Sequence, residues 1–300
     1  MTTMDVTLSD GPDVAPREGR VRSALGRIAR RMGGREAATG MLILGILILV
    51  ALFAPWLAPH DPEAIEPGRV LAAPDLAHPF GSDTLGRDVF SRVLFAYRVS
   101  LVVSVGSVLA ALLIGIPLGL LAGYRGGWVD TVLMRPLDLL LALPAMLLAV
   151  SLIAILGPGA VVALIAIAII YLPILARVIR GSVLVVRTEA YVEGAKARGV
   201  GGLGIMRRHV LPNSLGPAIV QASILMGFAL QIEAALSFLG LGTQPPTPSL
   251  GVMLAEGRDV LAQAWWVEVF PGLAIVLAVL AFILIGDGLR ARFDPRRLAE

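Results

Sequence analysis

The chain has 300 residues, of which 57% are hydrophobic and only 16% charged, with a mean hydropathy of +0.83. A soluble domain keeps roughly a quarter of its residues charged, so most of this surface does not face water. The absence of cysteine excludes disulfides, thiolate metal sites and a cysteine nucleophile.

Residues 1–40 are polar and Arg-rich, an inside segment whose first twenty residues are expected to be disordered. A secretory signal has a short charged lead. This lead is long, so the first apolar stretch, Met41 to Ala58, reads as an uncleaved membrane anchor. A spanning helix needs about 20 mostly apolar residues. Residues 59–98 follow, with Asp-Pro, Ala-Pro and His-Pro turns and a mixed stretch from Asp83 to Arg98. They group with the first span as a 41–98 unit. The second span is Val99 to Tyr124. Its Gly115, Gly119 and Gly123 form a doubled G-x-x-x-G that lets another helix approach closely, and Pro117 between them is expected to kink it. The uncharged run from Leu139 to Ala176 is too long for one span. Gly157-Pro158-Gly159 divides it into a hairpin of helices near 133–156 and 160–178. The fifth span is Ser214 to Phe238 and the sixth Glu268 to Gly286, leaving 289–300 as a tail.

Lysine and arginine beside the spans set orientation. Residues 1–40, 124–136, 177–212 and the tail hold twenty, whereas 59–98 and 238–267 hold five. Both termini and the 177–212 loop are therefore expected in the cytoplasm. Trp56, Trp128, Trp265 and Trp266 fall where an interfacial aromatic belt would lie. This distribution explains the basic charge as topology and gives no support to nucleic-acid binding.

Few ionisable groups lie in or at the ends of the spans: Arg135, Asp138, Glu233, Glu268 and Asp287. Arg135 and Asp138, three apart, are expected to pair. Only Glu233 is deep. It is a candidate for lining a substrate path, with a buried structural hydrogen bond the favoured alternative. The three histidines, His60, His78 and His209, are far apart and match no metal-ligand spacing, so no metal is expected.

The 177–212 loop is too long for a simple turn. Glu189 to Arg198 favours a helix with Tyr191, Val192 and Ala195 on one face, and Gly199 suits a left-handed cap. Leu203, Met206 and Val210 mark a second apolar face. The reading is helix–turn–helix, its apolar face lying on the membrane or in a partner's groove. Gly199, Gly201 and Gly204 match G-x-G-x-x-G, but no βαβ unit can form around them. The chain also lacks G-x-x-x-x-G-K-[ST], so no P-loop hydrolyses ATP here.

Glu193-Gly194-Ala195, then Gly199, then Leu211-Pro212 resembles the EAA signature of permease subunits in binding-protein-dependent ABC importers, with Gly194 and His209 departing from it. His78-Pro-Phe-Gly-Ser-Asp-Thr-Leu-Gly-Arg-Asp88, Leu236-Ser-Phe-Leu-Gly-Leu-Gly-Thr-Gln-Pro-Pro246, Gly286-Asp-Gly-Leu-Arg290 and Asp294-Pro-Arg296 resemble blocks of the C-type subunit of the dipeptide/oligopeptide (peptide/nickel) branch.

The resemblance implies an all-α membrane protein with six transmembrane helices, a type I ABC importer transmembrane domain, in a bacterial inner membrane. Residues 99–288 would be its five-helix core. The 185–212 loop would carry the ATPase-coupling residues Glu189, Glu193, Gly194, Ala195, Lys196, Arg198, Gly199, Leu211 and Pro212. Implied partners are a B-type permease subunit, two ABC ATPases holding ATP and Mg, and an extracytoplasmic binding protein; this chain itself would bind no cofactor and catalyse nothing. A self-sufficient carrier or channel is the alternative, but it leaves the 177–212 loop unexplained. A membrane-embedded enzyme lacks any visible catalytic constellation.

Overall fold

The computed structural model describes residues 35–293, so expectations on residues 1–34 and on 294–300, including Asp294-Pro-Arg296, lie outside the described residues. Within them the chain is helical, with one isolated bridge between Ser82 and Asp88. In chain order the helices are α1 (Arg35–Leu57), α2 (Val89–Arg125), α3 (Gly127–Leu141), α4 (Ala145–Leu156), α5 (Ala160–Val186), α6 (Ala190–Ala197), α7 (Gly202–Phe238), α8 (Leu250–Arg258) and α9 (Trp266–Phe293).

Five of these, α1, α2, α5, α7 and α9, are each long and apolar enough to cross a membrane. The expected straight third span near 133–156 is instead two helices, α3 and α4, bent by 93°. The cause is Pro144. It has no N–H to continue the ladder and it disfavours helical geometry at Leu143, so the chain leaves the helix there (Pro144 φ −58°, ψ 125°). Packing shows that this bent pair must traverse the bundle. Gly106 of α2 faces Leu164, Gly115 faces Leu172 and Ala176, Gly119 faces Ala176 and Ile179, and Gly123 faces Arg180 and Val183. Both partners advance together, so α2 and α5 are parallel. Between two parallel helices the chain has to recross, and α3–α4 is the only segment available to do it. The bundle therefore has six passes, one of them broken.

Several helices run longer than their apolar stretches. At about 1.5 Å per residue, the 37 residues of α2 and of α7 reach about 55 Å, against a hydrocarbon core of about 30 Å. The first turns of each extend beyond any bilayer, and these extensions build the two ends described below. The second half of the expected helix–turn–helix is thus no separate helix but the start of α7. α9 runs antiparallel to both α1 and α7: Gly288 meets Ala37 and Gly40 meets Ala281, while Gly286 meets Ile224 and Gly227 meets Val279 and Phe282. Leu225, Ala229 and Leu236 of α7 pack with Val103 and Val108 of α2 and Ile167 and Tyr171 of α5 in the central core.

The expected Arg135–Asp138 pair does not form. Asp138 accepts from Arg177 of α5 at 2.6 Å, and Arg180 holds Asp130 through two bonds of 2.5 Å. Cross-helix partners on α5 outcompete the short i,i+3 contact. Glu233 is 1% exposed in this chain. Its carboxylate accepts from Ser100 of α2 at 2.9 Å and Ser237 at 2.8 Å, tying α7 to α2.

Candidate functional site

At one end of the bundle, residues 187–201 form an elbow between α5 and α7. Arg187 follows α5 and donates from Nη1 to the carbonyls of Gly123 (2.8 Å) and Tyr124 (3.4 Å), capping α2. α6 then runs eight residues and ends in a complete Schellman motif. The N–H of Gly199 bonds Lys196 O at 2.9 Å, and that of Val200 bonds Ala195 O at 3.2 Å. Gly199 takes the left-handed conformation this closure demands, φ +78°. Val200 folds back beside Val192 and Ala195.

The elbow is fastened from below. Val192 and Ala195 are 0% exposed and pack on Ile179 and Val183 of α5 and on Ile205, Val210 and Ala218 of α7. The apolar faces expected to cover membrane or partner are therefore turned inward: Val192, Ala195, Met206 and Val210 are buried, and only Tyr191 (44%) and Leu203 (76%) are left outside. Around them Glu189, Glu193, Lys196, Arg198, Arg207 and Arg208 are exposed. Gly194 lies over open space, Leu211 is half-buried and Pro212 is exposed.

Pro212 also shapes the backbone before it. Without its N–H, the ladder around it cannot be regular, and the chain opens into a π-turn at Met206–Val210 in which Leu211 N–H reaches Met206 O. Asn213 Nδ2 donates to His209 O at 2.6 Å. Such turns recur at functional sites. This one lies between the elbow and the apolar part of α7.

Since Gly194 sits inside a helix with nothing within 4 Å of an added Cβ, Gly194→Ala should stabilise α6 by about 0.5–1 kcal/mol. Amide hydrogen exchange over 190–198 should slow; faster exchange would contradict this packing.

The opposite end carries a cap built from two segments distant in sequence. Asp83 accepts from Arg87 Nε (2.7 Å) and, at close range, from Arg92; both arginines also reach Glu256 of α8, at 2.9 and 2.8 Å. Asp83, Arg87 and Arg92 are at most 5% exposed. Phe80 stacks on Phe270 with ring centroids 4.0 Å apart. Trp266 donates from Nε1 to Ser82 O at 3.1 Å and is 7% exposed. Trp266 is thus part of the cap, whereas Trp56, Trp128 and Trp265 remain exposed. Sequence reading missed this clasp because its partners lie more than 160 residues apart.

Beside the clasp, His60 and His78 stack with centroids 4.2 Å apart, and His78 Nδ1 lies 3.0 Å from Asp88 Oδ1. Asp75 holds that turn. It accepts from Arg69 at 2.8 Å and from the backbone N–H of His78 and Ala77, which keeps its carboxyl at about 2, well below the usual range. A cleft of about 660 Å³ opens nearby, bordered by Pro59, His60, Phe95, Arg98 and Pro248.

Residues 115–298 match the family of binding-protein-dependent transport system inner membrane components, and residues 35–74 match the N-terminal TM domain of oligopeptide transport permease C. A dipeptide transport system permease protein of Alkalihalophilus pseudofirmus is 45% identical, the match covering 87% of this chain and 86% of that protein. A glutathione transport system permease protein of Pectobacterium atrosepticum is 45% identical over 86% of each. A probable D,D-dipeptide transport system permease protein of Escherichia coli is 42% identical over 88% of this chain and 89% of its own length. Among solved structures, the inward-facing MetNI methionine ABC transporter superposes with a TM-score of 0.56 at 20% identity, covering 68% of this chain and 97% of that one.

Proposed function

We propose a peptide-import role for this chain, which belongs to the family of binding-protein-dependent transport system inner membrane components. It is one of two permease subunits that together enclose a translocation path. The observation that carries this reading is the elbow. A short helix locked onto α5 and α7, with its apolar side buried and a charged rim exposed, passes a push on the rim into two spans. A self-sufficient carrier has no use for such a lever.

In this reading the elbow faces the cytoplasm, where the excess of arginines lies, and Glu193, Lys196, Arg198, Tyr191 and Leu203 meet an ATPase that holds ATP and Mg. The cap faces outward and receives a binding protein. A B-type permease subunit completes the path. Glu233 ties α7 to α2 as a structural acceptor. The cargo is a short peptide: the relatives above are named for dipeptides, glutathione and D,D-dipeptides, which share a peptide backbone and small size.

The test is affinity purification from gently solubilised membranes, followed by ATPase assay. A second six-pass subunit and ATPases with Walker motifs should copurify, and peptide-loaded binding protein should stimulate hydrolysis. Gly199→Val should keep the complex but lose that stimulation, since a β-branched residue is disfavoured at φ +78°. Aspartate tolerates this region better and would be the weaker probe. Recovery of the chain alone, or full coupling in the valine variant, would sink the proposal.

A further inference from the structure

We propose that His60, His78 and Asp88 form a divalent-metal site, of a kind suited to zinc(II), that clamps the chain leaving α1 to the start of α2. The three groups come from separate stretches: His60 follows α1, His78 lies in the Asp75–Gly81 turn, and Asp88 is the N-cap of α2. Each offers one ligand atom, and these atoms all lie within 4.8 Å of one another. His78 and Asp88 are 3% and 2% exposed. His60 Nδ1 stands 3.8 Å from Asp88 Oδ2.

The observation that points to a cation is His60 Nδ1. It is buried, and among the described residues it has no hydrogen-bond partner. A buried polar atom left unpaired is costly, and its neighbours, an imidazole and a carboxylate, are both of metal-ligating type. Two imidazoles and one carboxylate suit zinc, with a water as fourth ligand. They do not suit magnesium or calcium, which require more oxygens.

The supporting contacts are in place. Asp88 Oδ2 is held by Ser91 N–H at 2.8 Å, leaving Oδ1 toward His78. Ser91 Oγ in turn accepts from the backbone N–H of His60 at 3.2 Å. His78 is fixed through its own N–H to Asp75 at 2.6 Å. Outer contacts of this type orient ligands in metal sites. The two rings are stacked with planes 12° apart, so their in-plane lone pairs run side by side. Binding needs one ring to tilt. His60 is that ring, because its side chain is 31% exposed while that of His78 is 4% exposed. His78 carries its proton on Nε2 when Nδ1 binds metal.

The experiment is zinc titration of the purified complex, with affinity tags removed, followed by bound-metal analysis and thermal unfolding. The wild type should bind one zinc per copy of this chain at this site and unfold at a higher temperature with zinc, but not with magnesium. His60→Ala removes the unpaired nitrogen together with the ring that stacks on His78. It should lose at least about ten-fold in zinc affinity, together with the zinc-dependent rise above its own metal-free Tm. His209→Asn, at the other end, should change neither. The proposal is overturned if zinc neither binds nor raises Tm in the wild type, if His60→Ala retains both effects, or if His209→Asn abolishes them.

Discussion

Asp83→Ala should be the most damaging single substitution in the cap, lowering stability by about 3–5 kcal/mol, the cost of breaking a buried ion pair from one side. Asp83 is 1% exposed and accepts from both Arg87 and Arg92, while its other oxygen accepts from the N–H groups of Leu85 and Arg87. Without it two buried guanidinium groups face only Glu256, and Arg92 Nε already has no partner among the described residues. Asp83→Asn separates the two contributions, because it keeps an oxygen for the turn and removes the charge. Both variants should yield less folded protein and a lower Tm in detergent, alanine more than asparagine. Glu256→Gln should cost less, since Glu256 is 24% exposed at its side chain and water can replace it. An Asp83→Ala variant as stable as the wild type would show that the clasp does not hold the cap.

The clasp also marks where sequence reasoning runs out. Hydropathy located every span, because an apolar run of about 20 residues has few other fates. It could not see the break at Pro144, because proline alone does not end a helix in this chain. Pro117, Pro136, Pro173, Pro217 and Pro271 all sit inside helices that continue. Gly199 was legible as a cap from its position after a short helical run, because the Schellman closure is local. The direction of the elbow's apolar face was not, since it depends on Ile179 and Val183 arriving from α5. Arg87 and Arg92 read as outside loop charges, although both are enclosed by acids from 83 and 256. Histidines 18 residues apart gave no ligand spacing, and only the fold stacks them.

The glycine stripe gives the second large effect, and it is graded. A Cβ on Gly119 would strike the carbonyl of Ala176 and lie 2.9 Å from Ile179 Cβ, so backbone and a β-branched side chain both stand in its way. Gly119→Ala should therefore force α2 and α5 apart and cost about 1–3 kcal/mol, as overpacking does; valine should cost more. Gly106 offers the comparison within the same pair of helices. There the added Cβ meets Leu164 Cδ1 at 2.9 Å, the far end of a flexible side chain that can turn aside. Gly106→Ala should be close to neutral. Gly45, with nothing within 4 Å, supplies the baseline, and Gly45→Ala should leave Tm unchanged or raise it slightly. Thermal unfolding of the three alanine variants should rank them Gly119 far below Gly106, with Gly45 highest. Equal Tm values for Gly119→Ala and Gly45→Ala would mean that α2 and α5 do not approach closely at Gly119.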